Sequence, residues 1–413
     1  MRILLYTGKG GVGKTTIAAG TAALLARRGK RVLIMSADQA HSLGDVFSAP
    51  VSGTGQSRDG ADGAEGPDAP AGDFLLEGEV KNIAPGLDAL ELNPGLESRK
   101  AWGSMKDYLR QIISDKANGG LAAEEAILFP GLEELFSLLK ILEIYDENRY
   151  DVLIVDCAPT GETLSLLRYP ERLCVLSDSI LPSIRSMNRA LGGLISRKTT
   201  VPKPRDEVFA EFESLVKRLN RLREILTDRR QCSVRIVTTP ERIVLEEARR
   251  SFAWLQAYDF GVDAVYMNRL LPGAALEGYF GAFGKVQEES LGLMRAAFPG
   301  RKQFSLELWS GELRGLPLLT EAAELLYGKE DPAEVWCEAQ AFRMEDEAGT
   351  RKFILQLPHV REDEIEVRQD GTDLILTVRN EVRMFHLPDR VSRRYVSGWS
   401  LDGDELCIRM DYD

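Results

Sequence analysis

The stretch Gly8-Lys9-Gly10-Gly11-Val12-Gly13-Lys14-Thr15-Thr16 constrains this chain more than any other. It follows the apolar run Ile3-Leu4-Leu5-Tyr6-Thr7 and opens a helical segment, Thr15 to Arg28, which Gly29 can end as the residue past the helix. Strand, glycine loop and helix in that order are the context that makes a phosphate-loop match meaningful. Glycines let backbone N–H groups close around phosphates, and the new helix turns its positive end towards them. Lys14 is then placed to reach the β- and γ-phosphates, and the Thr15 hydroxyl to ligate Mg²⁺. The expected ligand is therefore a nucleotide's phosphates with Mg²⁺. The expected class is α/β, a mostly parallel sheet flanked by helices.

Lys9 is the unusual residue, because a phosphate loop does not need a second lysine there. So close to its own loop, it has little to do that Lys14 does not already do. One use is to reach across a dimer interface to the partner's phosphates and stabilise charge that develops during transfer. The alternative is an ordinary solvated lysine.

The chain of 413 residues is long enough for one large domain plus a module. With 44% hydrophobic and 28% charged residues it has a soluble globular balance. It lacks an apolar run of about eighteen residues, so no membrane span is expected. The N-terminus enters a strand at once, which leaves no room for a signal peptide. Cys157, Cys174, Cys232, Cys337 and Cys407 are scattered, without a CxxC pair. That argues against a disulfide framework and a zinc site, and fits a reducing cytoplasm. A formal net charge of −12 weighs against a non-specific nucleic-acid binder, which needs a basic face.

Further along, Arg31-Val32-Leu33-Ile34-Met35-Ser36 has the continuous apolar character of a buried parallel strand. Asp38 lies just past it, where ligands bind in open α/β sheets; an Asx turn or helix N-cap is the structural alternative. Residues 52–73 are rich in Gly, Ala, Asp and Pro and read as a mobile surface loop. Leu87 to Pro94 alternates like a strand, and Ala101 to Ile144 reads as helical. Asp151-Val152-Leu153-Ile154-Val155-Asp156 is a strand ending in a carboxylate, the Walker B arrangement, with Asp156 near the Mg²⁺ shell. Leu173 to Leu176 is another short strand. Ser179 to Ser196 has helical apolar spacing, and a strongly charged helix runs from about Asp206 to Arg229. A strand is expected within Val234–Glu241, and further strands at Val262–Arg269 and Gln303–Leu306.

These motifs resemble the deviant Walker A ATPases, and within them the arsenical-pump and tail-anchored-protein-targeting (ArsA/Get) branch. Asp38-Gln39-Ala40-His41 to Phe47 resembles the branch's first switch, with Gln39 in place of Pro and Gly44 in place of Ser. The resemblance implies that Asp38 positions the attacking water. Glu91-Leu92-Asn93-Pro94 and Pro130-Gly131-Leu132-Glu133-Glu134 match further steps. Asp156-Cys157-Ala158-Pro159-Thr160-Gly161-Glu162-Thr163 resembles the second switch, with Cys157 for Thr and Glu162 for His. Asn268, closing its strand, matches the asparagine that hydrogen-bonds adenine; an amide carries the donor and acceptor a purine edge needs. Thr239-Pro240-Glu241 with Glu246-Glu247-Ala248, and Gly311 to Leu316, complete a match covering about Met1 to Gly328.

Beyond Asp331 the pattern changes. Residues 339–350 read as a polar linker. The alternating runs Phe353/Leu355/Leu357, Ile365/Val367, Leu374/Leu376/Val378 and Leu406/Ile408/Met410, punctuated by Gly371, Pro388 and Gly403, indicate a small β-sandwich. Leu357-Pro358, Leu387-Pro388 and Gly398 with Asp402-Gly403 and Leu406 resemble an α-crystallin domain, although no Ile-x-Ile tail follows. The expected division is an ATPase domain over 1–335, a linker over 336–350 and the sandwich over 351–413. Within the first, 100–145 and 179–230 form a helical subdomain.

The resemblance implies a homodimeric, cytoplasmic ATP hydrolase that closes on nucleotide and thereby reshapes a helical surface for an apolar protein client. A helix pair simply packed on the ATPase core is the alternative for 179–230. Two other functions are the alternatives. An arsenite-transport ATPase needs thiolate ligands, yet Ser183 to Asn188 holds no Cys and the chain has one phosphate loop. A partition or positioning ATPase would suit a more basic chain.

Overall fold

The computed structural model describes residues 1–36, 42–47, 78–92, 132–157, 206–340, 342–347, 350–371, 373–379, 381–386 and 394–412. Asp38, the 52–73 segment, the 101–131 part of the expected helical region, the second switch beyond Cys157 and the helix expected over 179–196 lie outside them. The chain divides into two compact units.

The first unit comprises Met1, Thr15–Ile225 and Leu313–Ala323. Its strands are β2 (Val32–Ser36), β3 (Lys81–Ala84), β4 (Leu87–Glu91) and β5 (Val152–Asp156), in the spatial order β3-β4-β2-β5. β2 and β5 are buried from end to end, which explains their unbroken apolar sequences. Both of β2's partners are parallel to it, with Ser36 level with Asp156 and Glu91. Only β3 runs antiparallel, on β4. Helix α1 (Lys14–Arg27) ends as expected at Gly29, whose φ of +87° is left-handed. Helices α2 (Ser42–Phe47), α3 (Leu132–Glu147) and most of α4 (Asp206–Thr227) also lie in this unit.

The second unit comprises Arg2–Lys14, Leu226–Glu312 and Glu324–Asp413. It holds β1 (Arg2–Thr7), β6 (Cys232–Thr238), β7 (Val262–Leu270) and β8 (Lys302–Glu307) in the order β1-β6-β7-β8, all parallel. The crossovers are helices α5 (Arg242–Ala257), then α6 (Gly273–Leu276) and α7 (Gly281–Ala297); α8 (Leu316–Tyr327) ends in this unit. The fold class is thus the α/β arrangement expected, mostly parallel strands with helices.

Arg235 and Asp263 stand in the middle of apolar strand sequences, and both are completely buried. Arg235 Nε donates to Asp263 Oδ1 at 3.1 Å, Nη1 to the Tyr6 hydroxyl at 3.2 Å and Nη2 to the Pro332 carbonyl at 2.7 Å. Its guanidinium also lies 4.2 Å from the centre of the Trp336 ring. Burial works against the Arg235 charge, but Asp263 and the surrounding tyrosine hydroxyls outweigh it and raise its pKa. The network pins the segment after α8 to the sheet.

The C-terminal module has two antiparallel sheets. β9 (Phe342–Glu347), β10 (Thr350–Gln356), β14 (Arg394–Asp402) and β15 (Glu405–Tyr412) form one, in the order β14-β15-β10-β9. β11 (Ile365–Asp370), β12 (Asp373–Val378) and β13 (Glu381–His386) form the other. Phe353 of β10 and Phe385 of β13 meet edge to face at 4.9 Å between them. The expected linker over 339–350 is corrected here. Its Phe342 to Glu347 form β9, an edge strand paired with β10 from Leu355↔Phe342 to Thr350↔Glu347. An edge strand exposing Arg343, Met344, Glu345 and Asp346 reads as polar linker in sequence, because charges on an edge discourage unwanted pairing. Among the described residues, no helix is long and apolar enough to cross a membrane.

Candidate nucleotide site

In the second unit the glycine loop runs from the end of β1 to Lys14. An ideal Cβ on Gly8 would stand 2.2 Å from the Val237 carbonyl oxygen, and one on Gly13 would stand 2.3 Å from Asn268 Nδ2. Their φ values are +155° and +93°. Space and backbone conformation therefore both demand glycine at these two positions. Gly10 and Gly11 are exposed, while Val12 is buried and anchors the loop. Lys14 is buried, and its Nζ makes a long 3.5 Å hydrogen bond to the Lys9 carbonyl. Thr16 follows, half-buried, on α1.

Asn268 lies two residues before the end of β7, buried, and its Nδ2 donates to the Val12 carbonyl at 2.8 Å. The side chain thus ties the end of β7 to the loop, a contact that sequence reading did not anticipate. Lys9 is 41% exposed, and its Nζ lies 3.7 Å from Oε2 of Glu247 on α5, itself 28% exposed.

In the first unit Thr15 Oγ1 donates to Asp156 Oδ2 at 2.5 Å. Asp156 is buried at the end of β5. A hydroxyl and a carboxylate at the head of a helix are hard oxygen donors, the chemistry Mg²⁺ takes while keeping waters and phosphate oxygens as its other ligands. The described residues hold no group of three or more His, Cys, Asp or Glu that could make an all-protein metal site.

Two motifs far apart in sequence converge on α2, the described part of the first-switch stretch. Glu91 is buried and its Oε1 accepts from the Gly44 N–H at 2.9 Å, near the positive end of α2. At the other end, Arg314 Nε donates to the Asp45 carbonyl at 2.9 Å, and the Gly315 N–H to the Val46 carbonyl at 2.8 Å. These contacts give a physical purpose to the Glu91-Leu92-Asn93-Pro94 and Gly311-to-Leu316 steps.

Sequence reading quoted Glu247 but gave it no role; a carboxylate on the flank of an amphipathic helix looks solvated until the fold brings Lys9 to it. Arg235 and Asp263 also take no role from the sequence. The available signal was a single charge inside each of two otherwise apolar strand runs, Val234-Arg235-Ile236-Val237 and Val262-Asp263-Ala264-Val265.

A parallel sheet, a glycine loop that admits only glycine at two points and a Thr–Asp pair at the helix head define a phosphate-loop nucleotide-binding fold. Residues 1–328 match the family model of the anion-transporting ATPases, and 348–410 match an HSP20-like domain found in ArsA. The chain belongs to the ArsA family of ATPases and carries that family's HSP20-like C-terminal domain. It is 30% identical over 391 residues to a protein of Chlorobaculum tepidum named as an arsenical pump-driving ATPase, covering 94% of this chain and 90% of that one. A protein of Aquifex aeolicus with the same kind of name is 28% identical over 414 residues, 99% of this chain and 100% of its own length. A Paramecium tetraurelia ATPase, an ASNA1 homologue, is 25% identical over 329 residues, covering 79% and 93%.

Proposed function

We propose that this chain is a homodimeric, Mg²⁺-dependent ATP hydrolase whose closure on nucleotide controls binding of an apolar protein segment. The 2.5 Å Thr15–Asp156 pair at the head of α1 carries the nucleotide part of the reading. In it, Gly8 to Gly13 cradle the phosphates with backbone N–H groups, together with those of Lys14, Thr15 and Thr16, and Lys14 neutralises the β- and γ-phosphates. Thr15 and Asp156 would hold Mg²⁺, which when bound supplies charge neutralisation at the phosphates. Asp38 orients the attacking water, and Lys9 reaches the partner subunit's phosphates, where charge develops. Asn268 holds the loop through Val12 and offers its amide to adenine. Closure of two subunits reshapes the helical region that receives the client, in the cytoplasm.

The test is ATP turnover with parallel sedimentation. Lys14→Ala and Asp38→Asn abolish turnover, and the wild type sediments as a dimer with Mg²⁺ and ATP. Wild-type-like hydrolysis by either variant, or a nucleotide-loaded monomer, contradicts the reading.

The relatives' names favour a second reading, an arsenical-pump subunit. Arsenite prefers several thiolates, whereas Cys157 and Cys232 are buried, with burial pushing the Cys232 thiol up to about 12, and the described residues hold no group of three or more His, Cys, Asp or Glu that could hold a metal ion. Stimulation of turnover by arsenite would support this second reading.

A further inference from the structure

The C-terminal module is seated on the same helix that carries Glu247. His359, in the turn after β10 with a left-handed φ of +65°, uses both ring nitrogens. Its Nε2 lies 2.6 Å from the Ala297 carbonyl at the end of α7, and its Nδ1 lies 3.0 Å from Arg249 Nη2 on α5. Since a guanidinium only donates, Nδ1 is the acceptor and Nε2 carries the proton. Arg249 Nη1 donates to Glu246 Oε1 at 2.7 Å. At the far end of α5 the Tyr258 hydroxyl donates to the Val382 carbonyl at 3.0 Å, and Arg383 lies between the Tyr258 and Phe385 rings, 5.2 and 3.8 Å from their centres. The module thus grips α5 at its middle and at its C-terminal end. Glu247 lies on that helix two residues before Arg249 and faces Lys9.

We infer that Glu247 is a positioning residue that parks Lys9 in the separate subunit, and that the C-terminal module sets how firmly it does so by bracing α5 through Arg249, His359 and Tyr258. The inference rests on the reading of Lys9 as the residue that crosses to the partner's phosphates. One ammonium cannot stay against Glu247 and also serve a phosphate on another subunit. The 3.7 Å separation and half-exposed partners make this a cheap contact to give up. A nucleotide phosphate, with more charge than one carboxylate, outcompetes it, and closing the dimer includes breaking it. Loosening α5 or removing the carboxylate therefore favours closure.

The test uses the full-length protein with Mg²⁺ and ATP, with turnover followed against protein concentration to give the concentration for half-activation. Glu247→Gln lowers that concentration by about 2–5-fold, the range an exposed ion pair supplies. His359→Ala and the milder Tyr258→Phe lower it in the same direction, and Glu247→Gln with His359→Ala goes no lower than Glu247→Gln alone. An unchanged value for Glu247→Gln, unchanged values for both module variants, or effects that multiply would overturn the inference. The Lys9→Ala background separates the two claims. If Lys9→Ala turns over like wild type, the crossing role itself fails. If it is inactive while Glu247→Gln changes nothing, only the parking role fails.

A pH arm adds an independent readout. Burial, chiefly, lowers the His359 pKa; the Ala297 carbonyl opposes this, while Arg249 also lowers it and Asp404 and Glu246 raise it. The Asp404 carboxylate accepts from the His359 N–H, and Arg379 donates to the His359 carbonyl. Docking favours the neutral ring, so its contribution is full above about pH 6.5 and falls as the ring protonates below that. The wild-type half-activation concentration then falls towards that of His359→Ala. A ratio between the two that does not move with pH contradicts the brace.

Discussion

The second unit contains two ion pairs built to opposite specifications. Arg235–Asp263 is completely buried, multiply hydrogen-bonded and capped by the Trp336 ring. Lys9–Glu247 is long, half-exposed and joins one loop to one helix. A buried pair resists separation because either charge left alone faces a low-dielectric interior. An exposed pair costs little to exchange because water and salt already compete with it. The comparison separates what the fold must keep still, the path from the sheet to the C-terminal module, from what a catalytic cycle must be able to move.

Substitution should expose that difference in descending steps. Arg235→Ala leaves Asp263 with Arg2, at 3.4 Å, as its remaining ion-pair partner among the described residues, and should cost about 3–5 kcal/mol in denaturant unfolding. Trp336→Leu removes the ring over the guanidinium but keeps its hydrogen bonds, and should cost about 2 kcal/mol by the same measurement. The surface pair Arg31–Asp151 provides an intermediate check by pH. The hydrogen bonds from Arg31 hold the Asp151 carboxyl down to about 2. Its contribution to stability is present above pH 3.8 and is lost as pH falls towards 2. An NMR titration of that carboxyl should show a midpoint near 2, which Arg31→Ala returns towards the ordinary value. Smallest of all, Glu247→Gln should change unfolding free energy by less than about 0.5 kcal/mol. A large loss there would make Lys9–Glu247 a structural pair and erase the contrast.

Much of this was legible in the chain. Continuous apolar runs such as Val32–Ser36 and Val152–Asp156 announced buried parallel strands because burial on both faces leaves no room for alternation. The loop could be read because Gly8 and Gly13 have no substitute where a carbonyl and an amide stand at Cβ distance. β9 was not legible, since an edge strand advertises itself by charges that also mark a linker. Nor were the Asn268–Val12, Glu91–Gly44 and Arg314–Asp45 bonds. Each joins residues tens to hundreds of positions apart, and single-chain periodicity carries no information about such pairs. The Glu247–Lys9 contact is hidden for the same reason, since its two residues stand more than two hundred positions apart.

The central claim is that Lys9 serves the other subunit's nucleotide, and mixing two inactive variants tests it most directly. Lys9→Ala and Asp38→Asn chains are each inactive alone. In a mixed dimer, one site has its own Asp38 and receives an intact Lys9 from its neighbour. Random mixing at equal amounts should restore about one quarter of wild-type turnover, since half the dimers are mixed and each holds one complete site. Turnover that stays at the level of the separate variants, with mixed dimers confirmed by differential tags, would place Lys9 at its own subunit's phosphates and contradict the account.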